Sequence, residues 1–170
     1  MGAAPAEPEM LEDTAAGAAA RRRTGAFFQE FGEEFASIGI QLGARYDGSP
    51  IVVPDGTDPP PDDPIRYTPS ATPGGRAPHL WFADRSSLFD HFGRGFSLLR
   101  LPGCKADTRP LEKAAAGRRV PLTTVEIALP EAWDLYRKGL ALVRPDQHVA
   151  WRGDALPDDC DALIAKVTGW

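Results

Sequence analysis

Nine of the chain's seventeen prolines lie between Tyr46 and Pro78, and this clustering constrains the fold more than any other feature. Proline has no backbone N–H to donate to a helix or sheet, and it biases the preceding residue toward extended conformations. We therefore expect an extended arm over residues 46–76, with one short strand at 49–53. A connection this long is usually either a linker or a segment wrapped over a neighbour. Its apolar residues favour wrapping: Ile51, Val52, Val53, Ile65 and Tyr67.

Segments typical of strands and helices alternate through residues 77–170. The expected strands are 80–82, 96–101, 122–128, 140–144 and 148–152, and the expected helices are 86–92, 107–119, 131–138 and 157–168. Pro145 and Asp146 suit the middle of a type I turn between the last two strands. Strands alternating with helices form parallel pairs with right-handed crossovers, and the closing hairpin adds an antiparallel edge. This is the element order of the thioredoxin fold, so we expect an α/β domain with a mixed sheet flanked by helices.

Residues 15–45, before the arm, are expected to form an amphipathic helix. Phe27, Phe31 and Phe35 recur at i, i+4 and i+8 and define an apolar stripe, and Gly39 is expected to end the helix. Burial of each phenylalanine would contribute about 2 kcal/mol, yet no other strongly apolar element lies nearby in the sequence. The helix therefore needs a partner surface.

Charge and composition exclude several functions. The chain has 19 Lys and Arg against 24 Asp and Glu, a formal net charge of −5, and lacks the clustered positive charge that binds nucleic acid. No apolar run approaches the roughly 18 residues that span a bilayer, and the acidic start does not resemble a secretory signal. Residues 1–14 are expected to be a frayed end. We expect a cytoplasmic protein without nucleic-acid or membrane partners.

Redox chemistry is the first activity to weigh for a thioredoxin-like fold. Thiol–disulfide exchange needs an attacking and a resolving thiol, usually at the start of a helix. Cys104 stands near that place, but Asp107 occupies the position where a C-x-x-C motif needs its second cysteine, and Cys160 lies on the last expected helix. Cys104 is thus the one candidate redox residue, and a surface thiol without redox function is the simpler interpretation.

Metal and cofactor motifs are missing from the sequence. The histidines, His79, His91 and His148, have spacings that match no metal-binding pattern. Gly93 and Gly95 begin a G-x-G-x-x-G pattern that fails at its last glycine, and the segment leads into an expected strand, whereas the dinucleotide motif leads into a helix. We expect no metal and no cofactor in this chain.

Five segments, taken together, resemble a known family: RYDGSPIV (45–52), YTPSA (67–71), PGGRAPH (73–79), LFD with FG (88–93) and VRPD with HVAWR (143–152). In this order they resemble the carboxy-terminal part of flavin-dependent aromatic-ring hydroxylases, in particular phenol, dichlorophenol and aromatic polyketide hydroxylases. The resemblance covers roughly residues 15–170.

This resemblance implies a parent enzyme that uses FAD and NAD(P)H, whose amino-terminal part binds the flavin and the phenolic substrate. The present chain would be an accessory domain for packing or dimer contact, inactive alone, and either a fragment or a separately encoded remnant. Its partner would be the flavin and substrate module, in cis or as a separate chain, with a homodimer also possible. No catalytic residue is implied here. The expected inter-module contacts are Phe27, Phe31, Phe35, Tyr46, Arg76 and His79.

Two other interpretations stay open at the level of the sequence. One is a self-standing thioredoxin-fold thiol enzyme that uses Cys104. The other is a partner-binding module that presents the helix carrying Phe27, Phe31 and Phe35 to another chain.

Overall fold

A computed structural model describes residues 7–170; the side chains of residues 30–35, including Phe31 and Phe35, lie outside the described part. The helices are α1 (Ala15–Phe35), α2 (Ile38–Gly43), α3 (Arg109–Gly117), α4 (Ala132–Tyr136) and α5 (Cys160–Thr168), and the strands are β1 (Phe96–Arg100), β2 (Leu122–Glu126), β3 (Leu140–Val143) and β4 (Val149–Gly153). Two 3-10 helices span Pro8–Leu11 and Leu88–His91.

The strands form one mixed sheet in the order β2-β1-β3-β4. β1 and β2 are parallel and are connected through α3, whereas the β1–β3 and β3–β4 pairs are antiparallel. Leu98 and Leu142 face α3 and α5 on one side of the sheet, and Leu99 and Val143 face α4 and the arm on the other. This arrangement is thioredoxin-like and confirms the fold class predicted from the element order.

The hairpin between β3 and β4 closes as the sequence predicts. The Gln147 N–H donates to the Arg144 carbonyl at 2.9 Å across Pro145 and Asp146, and Gln147 takes a left-handed backbone with φ of 68°.

Two predicted strands are wrong. At residues 80–82, Trp81 forms only an isolated bridge with Ser87, within a loop that folds back on itself. At residues 49–53 the chain makes turns, and Val53 alone donates a backbone hydrogen bond to β4, at 2.8 Å to the Ala150 carbonyl. The flanking prolines and this single bond explain why no ladder forms there.

The N-terminal segment also differs from its prediction. The expected helix is interrupted after Phe35 and resumes as α2, so Gly39 lies inside a helix and does not end one. Gly39 is buried where the arm crosses α2, and a Cβ atom there would collide with the Asp63 carbonyl oxygen. Residues 1–6 of the expected frayed end lie outside the described residues, and Pro8–Leu11 is helical.

The proline-rich arm covers the outer edge of β4. The Gly74 N–H donates to the Val149 carbonyl at 2.7 Å, the Val149 N–H donates to the Gly75 carbonyl at 2.9 Å, and the Ala77 N–H donates to the Gln147 carbonyl at 2.8 Å. These bonds pair backbone groups that an exposed edge strand would leave open to another chain.

A buried ion pair fixes the arm to the sheet. Arg152 of β4 donates from Nε to Asp55 Oδ2 at 2.6 Å, from Nη1 to the Tyr136 carbonyl at 3.0 Å and from Nη2 to Thr57 Oγ1 at 2.7 Å. The side chains of Arg152 and Asp55 are only 2% and 11% exposed. Nearby, the buried Tyr136 hydroxyl donates to the Pro78 carbonyl at 2.7 Å.

Replacing Asp55 with alanine should therefore destabilise the fold, because it leaves the Arg152 guanidinium buried without its counter-charge. We expect the free energy of unfolding, measured by urea denaturation, to fall by about 3 kcal/mol. Asp58→Ala removes an exposed carboxylate from the same arm and is the control, with an expected change within about 0.5 kcal/mol.

The pH dependence of unfolding gives a second readout of the same pair. Burial raises the pKa of the Asp55 carboxyl, but hydrogen bonds from Thr57 and Arg152 outweigh this effect, and the net pKa is lowered. The native chain should keep the pair's stabilisation above the unfolded-state pKa, about 3.9, and lose it as the pH falls through the lower folded-state pKa. Equal acid sensitivity in the native chain and Asp55→Ala would contradict this assignment.

Candidate functional site

Tyr46 lies where the arm leaves α2 and contacts the β3–β4 hairpin. Its N–H donates to the Gly74 carbonyl at 2.9 Å, and its ring centroid lies 4.6 Å from that of His148. The Arg144 guanidinium carbon is 5.9 Å from the Tyr46 ring centroid. The Tyr46 side chain is nevertheless 41% exposed, so part of the ring is available for a contact.

Arg76 lies on the inner side of the arm. Its guanidinium carbon lies 4.8 Å from the centroid of the Phe89 ring, a cation–π geometry, and its Nη2 donates to Gln147 Oε1 at 2.9 Å. Arg76 thus joins the arm, the hairpin and the 3-10 helix Leu88–His91.

His79 contacts the same 3-10 helix. Its Nε2 lies 2.8 Å from Ser87 Oγ, and its ring centroid is 4.6 Å from that of Trp81 and 5.3 Å from that of Phe89. Ser87 also forms a capping box with Asp90: Ser87 N–H donates to Asp90 Oδ2 at 2.8 Å, and Ser87 Oγ accepts from the Phe89 N–H at 3.1 Å. These contacts give the residues of the LFD segment a structural role.

Within the N-terminal region, α1 packs against the 3-10 helix Pro8–Leu11. Thr24 Oγ1 donates to Met10 Sδ at 3.3 Å, and Arg21 donates to the Met10 carbonyl at 2.8 Å, which joins α1 to the 3-10 helix before it. Phe27 is half-buried, and its ring packs edge-on against Phe28 with centroids 5.8 Å apart.

Exposed apolar surface concentrates in this region. Half of the large apolar side chains that are exposed in the described chain lie between residues 8 and 43: Leu11, Phe28, Ile38 and Ile40. The exposed fractions of Phe28 and Ile40 are 58% and 63%. Their concentration in one region of the chain favours an interaction surface there.

Two clefts flank the arm. One, of about 370 Å³, lies between α2 and residues 60–68, and the other, of about 600 Å³, lies between residues 46–59 and Lys166. Some charged groups on their walls pair with groups of the protein itself: Arg45 lies 2.8 Å from Asp62 in the first cleft, and Asp55 in the second pairs with Arg152. Neither cleft is formed by a glycine-rich turn that enters a helix, the feature that binds a dinucleotide phosphate.

The Gly93–Gly95 segment does not fit FAD either. It leads into β1, and a Cβ atom on Gly95 would collide with the Pro121 carbonyl, so this glycine allows the close approach of the segment before β2. Gly95 thus has a packing role, and the segment lacks the turn into a helix that binds a dinucleotide phosphate. Among the side chains of residues 7–29 and 36–170, no three from His, Cys, Asp or Glu converge as potential metal ligands.

The two thiols occupy different surroundings. Cys104 is partly buried after β1 and packs near Gly139, where a Cβ atom would approach its Sγ to 2.8 Å. It precedes the first residue of α3 by five positions, so it is not at the helix start that activates a thiolate. Cys160 is buried at the start of α5, and burial, followed by the charge of Asp159, raises the pKa of its thiol.

None of the helices in the described part of the chain has the length and apolar character needed to cross a membrane.

Residues 70–170 match the protein family described as aromatic-ring hydroxylase, C-terminal. The chain belongs to this family. The match confirms the resemblance drawn from the five sequence segments.

Curated relatives of this aromatic-ring hydroxylase C-terminal chain are considerably longer. The FAD-dependent monooxygenase apdD of Emericella nidulans is 38% identical over 144 residues, which cover 79% of this chain and 23% of that protein. Aklavinone 12-hydroxylase RdmE of Streptomyces purpurascens is 34% identical over 142 residues, which cover 74% and 25%, respectively. The chain spans about a quarter of the length of these relatives.

Solved structures extend the similarity to the N-terminal helices and the arm. The rebeccamycin biosynthetic enzyme RebC with reduced flavin matches with a TM-score of 0.78 and 39% identity, over 96% of this chain and 30% of that one. The ternary complex of aklavinone-11 hydroxylase with FAD and aklavinone matches with a TM-score of 0.60 and 30% identity, over 76% and 27%.

Sequence reasoning missed several residues that hold the candidate site together. Nothing in the local pattern around Arg152 or Asp55 indicates that their side chains meet, since they are 97 positions apart. Trp81, 66% exposed beside His79, lies in the segment that was expected to form the strand 80–82. The 3-10 helix that follows Trp81 does have a sequence signal, because Ser87 and Asp90 have the spacing of a capping box.

The thiols provide a test of the redox alternative. In the native chain at neutral pH, we expect Cys104 to react with a disulfide reagent no faster than glutathione, and Cys160 to react at least about tenfold more slowly because it is buried and its thiol pKa is raised. Cys160→Ala and Cys104→Ser isolate the two rates. A Cys104 rate far above that of glutathione would favour a thiol enzyme.

Proposed function

We propose that this chain is the C-terminal accessory module of an FAD-dependent aromatic hydroxylase, which packs against the flavin and substrate module and does not carry out hydroxylation itself. The observation that carries the proposal is its correspondence to about a quarter of longer monooxygenases and hydroxylases. The match to the family described as aromatic-ring hydroxylase, C-terminal, over residues 70–170 also supports this role.

The N-terminal helical region is the surface we assign to the flavin module. Phe28, Ile38 and Ile40 are exposed there, and α1 packs on the 3-10 helix before it. We include the half-buried Phe27, whose ring packs against Phe28, and Phe31 and Phe35, which continue its sequence spacing. Burial of exposed residues of this size would supply about 2 kcal/mol each.

The other predicted contact residues divide into two roles. Tyr46, with an exposed ring beside α2, extends the proposed contact surface. Arg76 and His79 are engaged with Phe89 and Ser87 inside the domain, so we propose that they act by keeping the arm and the following loop in place beneath that surface.

The parent enzyme would act on an aromatic ring, with FAD reduced by NAD(P)H supplying the oxygen-transfer chemistry. The names of the relatives, which include polyketide hydroxylases and a phenol 2-monooxygenase, support this substrate class. This chain would contribute the packing that completes the enzyme, and the same apolar surface could be buried between two copies when the flavin module is absent.

A charge placed on the assigned surface should block association with the flavin module. Phe28→Glu should weaken binding to the separately expressed remainder of apdD by at least about tenfold, which is about 1.4 kcal/mol, measured by titration with the flavin absorbance as the readout. Trp170→Ser removes a still more exposed aromatic side chain, 88% accessible, from the C-terminal end, and this variant should bind like the unmodified chain.

An activity assay of the isolated chain tests whether it can hydroxylate without the flavin module. Purified alone and supplied with FAD, NADPH and a phenol, it should stay colourless and form no catechol. Turnover by the chain alone, or unchanged binding by Phe28→Glu, would overturn the proposal.

A further inference from the structure

Both ring nitrogens of His148 face carbonyl oxygens. Nδ1 lies 3.0 Å from the Asp146 carbonyl oxygen, within the β3–β4 hairpin, and Nε2 lies 3.3 Å from the carbonyl oxygen of Ala44. Ala44 is the residue that caps the C-terminal end of α2. One imidazole ring therefore bridges the sheet domain and the N-terminal helical region.

A carbonyl oxygen can only accept a hydrogen bond, so each of these contacts requires an N–H on the ring. Neutral imidazole carries one N–H and imidazolium carries two. The pair of contacts is satisfied together only when His148 is protonated. In the neutral ring, one nitrogen lone pair would point at a carbonyl oxygen, and the longer contact, to Ala44, is the one expected to open.

Charged and aromatic groups surround the ring. The Asp146 carboxylate lies 3.5 Å from Nδ1, and the Tyr46 ring packs against the imidazole from the arm. The nearby cations have their own partners: Arg144 lies 3.1 Å from Asp146, and Arg76, whose backbone bridges that of His148, directs its guanidinium to Phe89.

We propose that protonation of His148 ties the end of α2 to the sheet domain, which makes the joint between the N-terminal helices and the domain sensitive to pH. At acidic pH the Nε2–H bond to Ala44 holds α2 against the domain. As the pH rises and the ring loses this proton, the bond is lost and the helices gain freedom relative to the sheet. Its consequence for enzyme assembly rests on the proposed function, because these helices carry the surface assigned to the flavin module.

Hydrogen exchange of the 170-residue chain tests the joint directly. After correction for intrinsic exchange rates, protection of the α2 amides should fall by about threefold between about pH 5.5 and pH 8, the range in which histidines change charge. His148→Phe keeps a ring against Tyr46 but has no N–H, so its α2 protection should be low and independent of pH. His91→Phe is the control, because His91 contacts Ser86 and Phe82 and lies on another element.

An NMR titration of the unmodified chain gives a readout that does not depend on how well the variants fold. The proton should leave Nε2 of His148, and the α2 amide shifts should move with the same midpoint. Three results would each overturn the proposal. They are α2 protection that does not change with pH, a pH profile of α2 protection that is the same in His148→Phe, and α2 amide shifts that do not follow the titration of His148. All of these measurements use the isolated chain, so their failure is distinct from a failure to bind the flavin module.

Discussion

The guanidinium of Arg152 is the group around which the domain and the arm are organised. A buried cation is tolerated only when its hydrogen bonds and counter-charge are supplied at close range. Here they come from Asp55 and Thr57 of the arm and from the Tyr136 carbonyl at the end of α4. Because two of the three acceptors belong to the arm, the sheet domain cannot satisfy Arg152 alone. The proline-rich segment is therefore part of the folded unit.

This constraint determines what the rest of the chain can do. The backbone of the arm forms hydrogen bonds along the edge strand β4. Tyr46, the first residue of the arm, therefore lies beside the β3–β4 hairpin together with the end of α2. The core on both faces of the sheet is then occupied by the chain's own helices and loops. The N-terminal helices carry exposed apolar side chains, which agrees with the accessory role proposed for a chain that covers about a quarter of its relatives.

The sheet domain was predictable from the sequence because its signals are local. The alternation of strands and helices, the turn at Pro145 and the cap at Ser87 each depend on residues within a few positions of one another. The wrapped arm was also predictable, since its apolar residues required burial. Contacts over long distances were not: Gly39 was assigned as a helix end because its approach to Asp63 leaves no trace in the local pattern. The strand predicted at residues 80–82 was wrong for a related reason. The local pattern does not show whether a neighbouring strand is available, and Trp81 pairs only with Ser87.

The N-terminal helical region is the proposed contact surface for the flavin module. The most direct test compares hydrogen exchange of the isolated chain with that of the same chain bound to a flavin module. Protection should rise in residues 11–46 and change little in β1–β4. An exchange pattern that changes around Cys104 and α3, with residues 11–46 unaffected, would contradict the account.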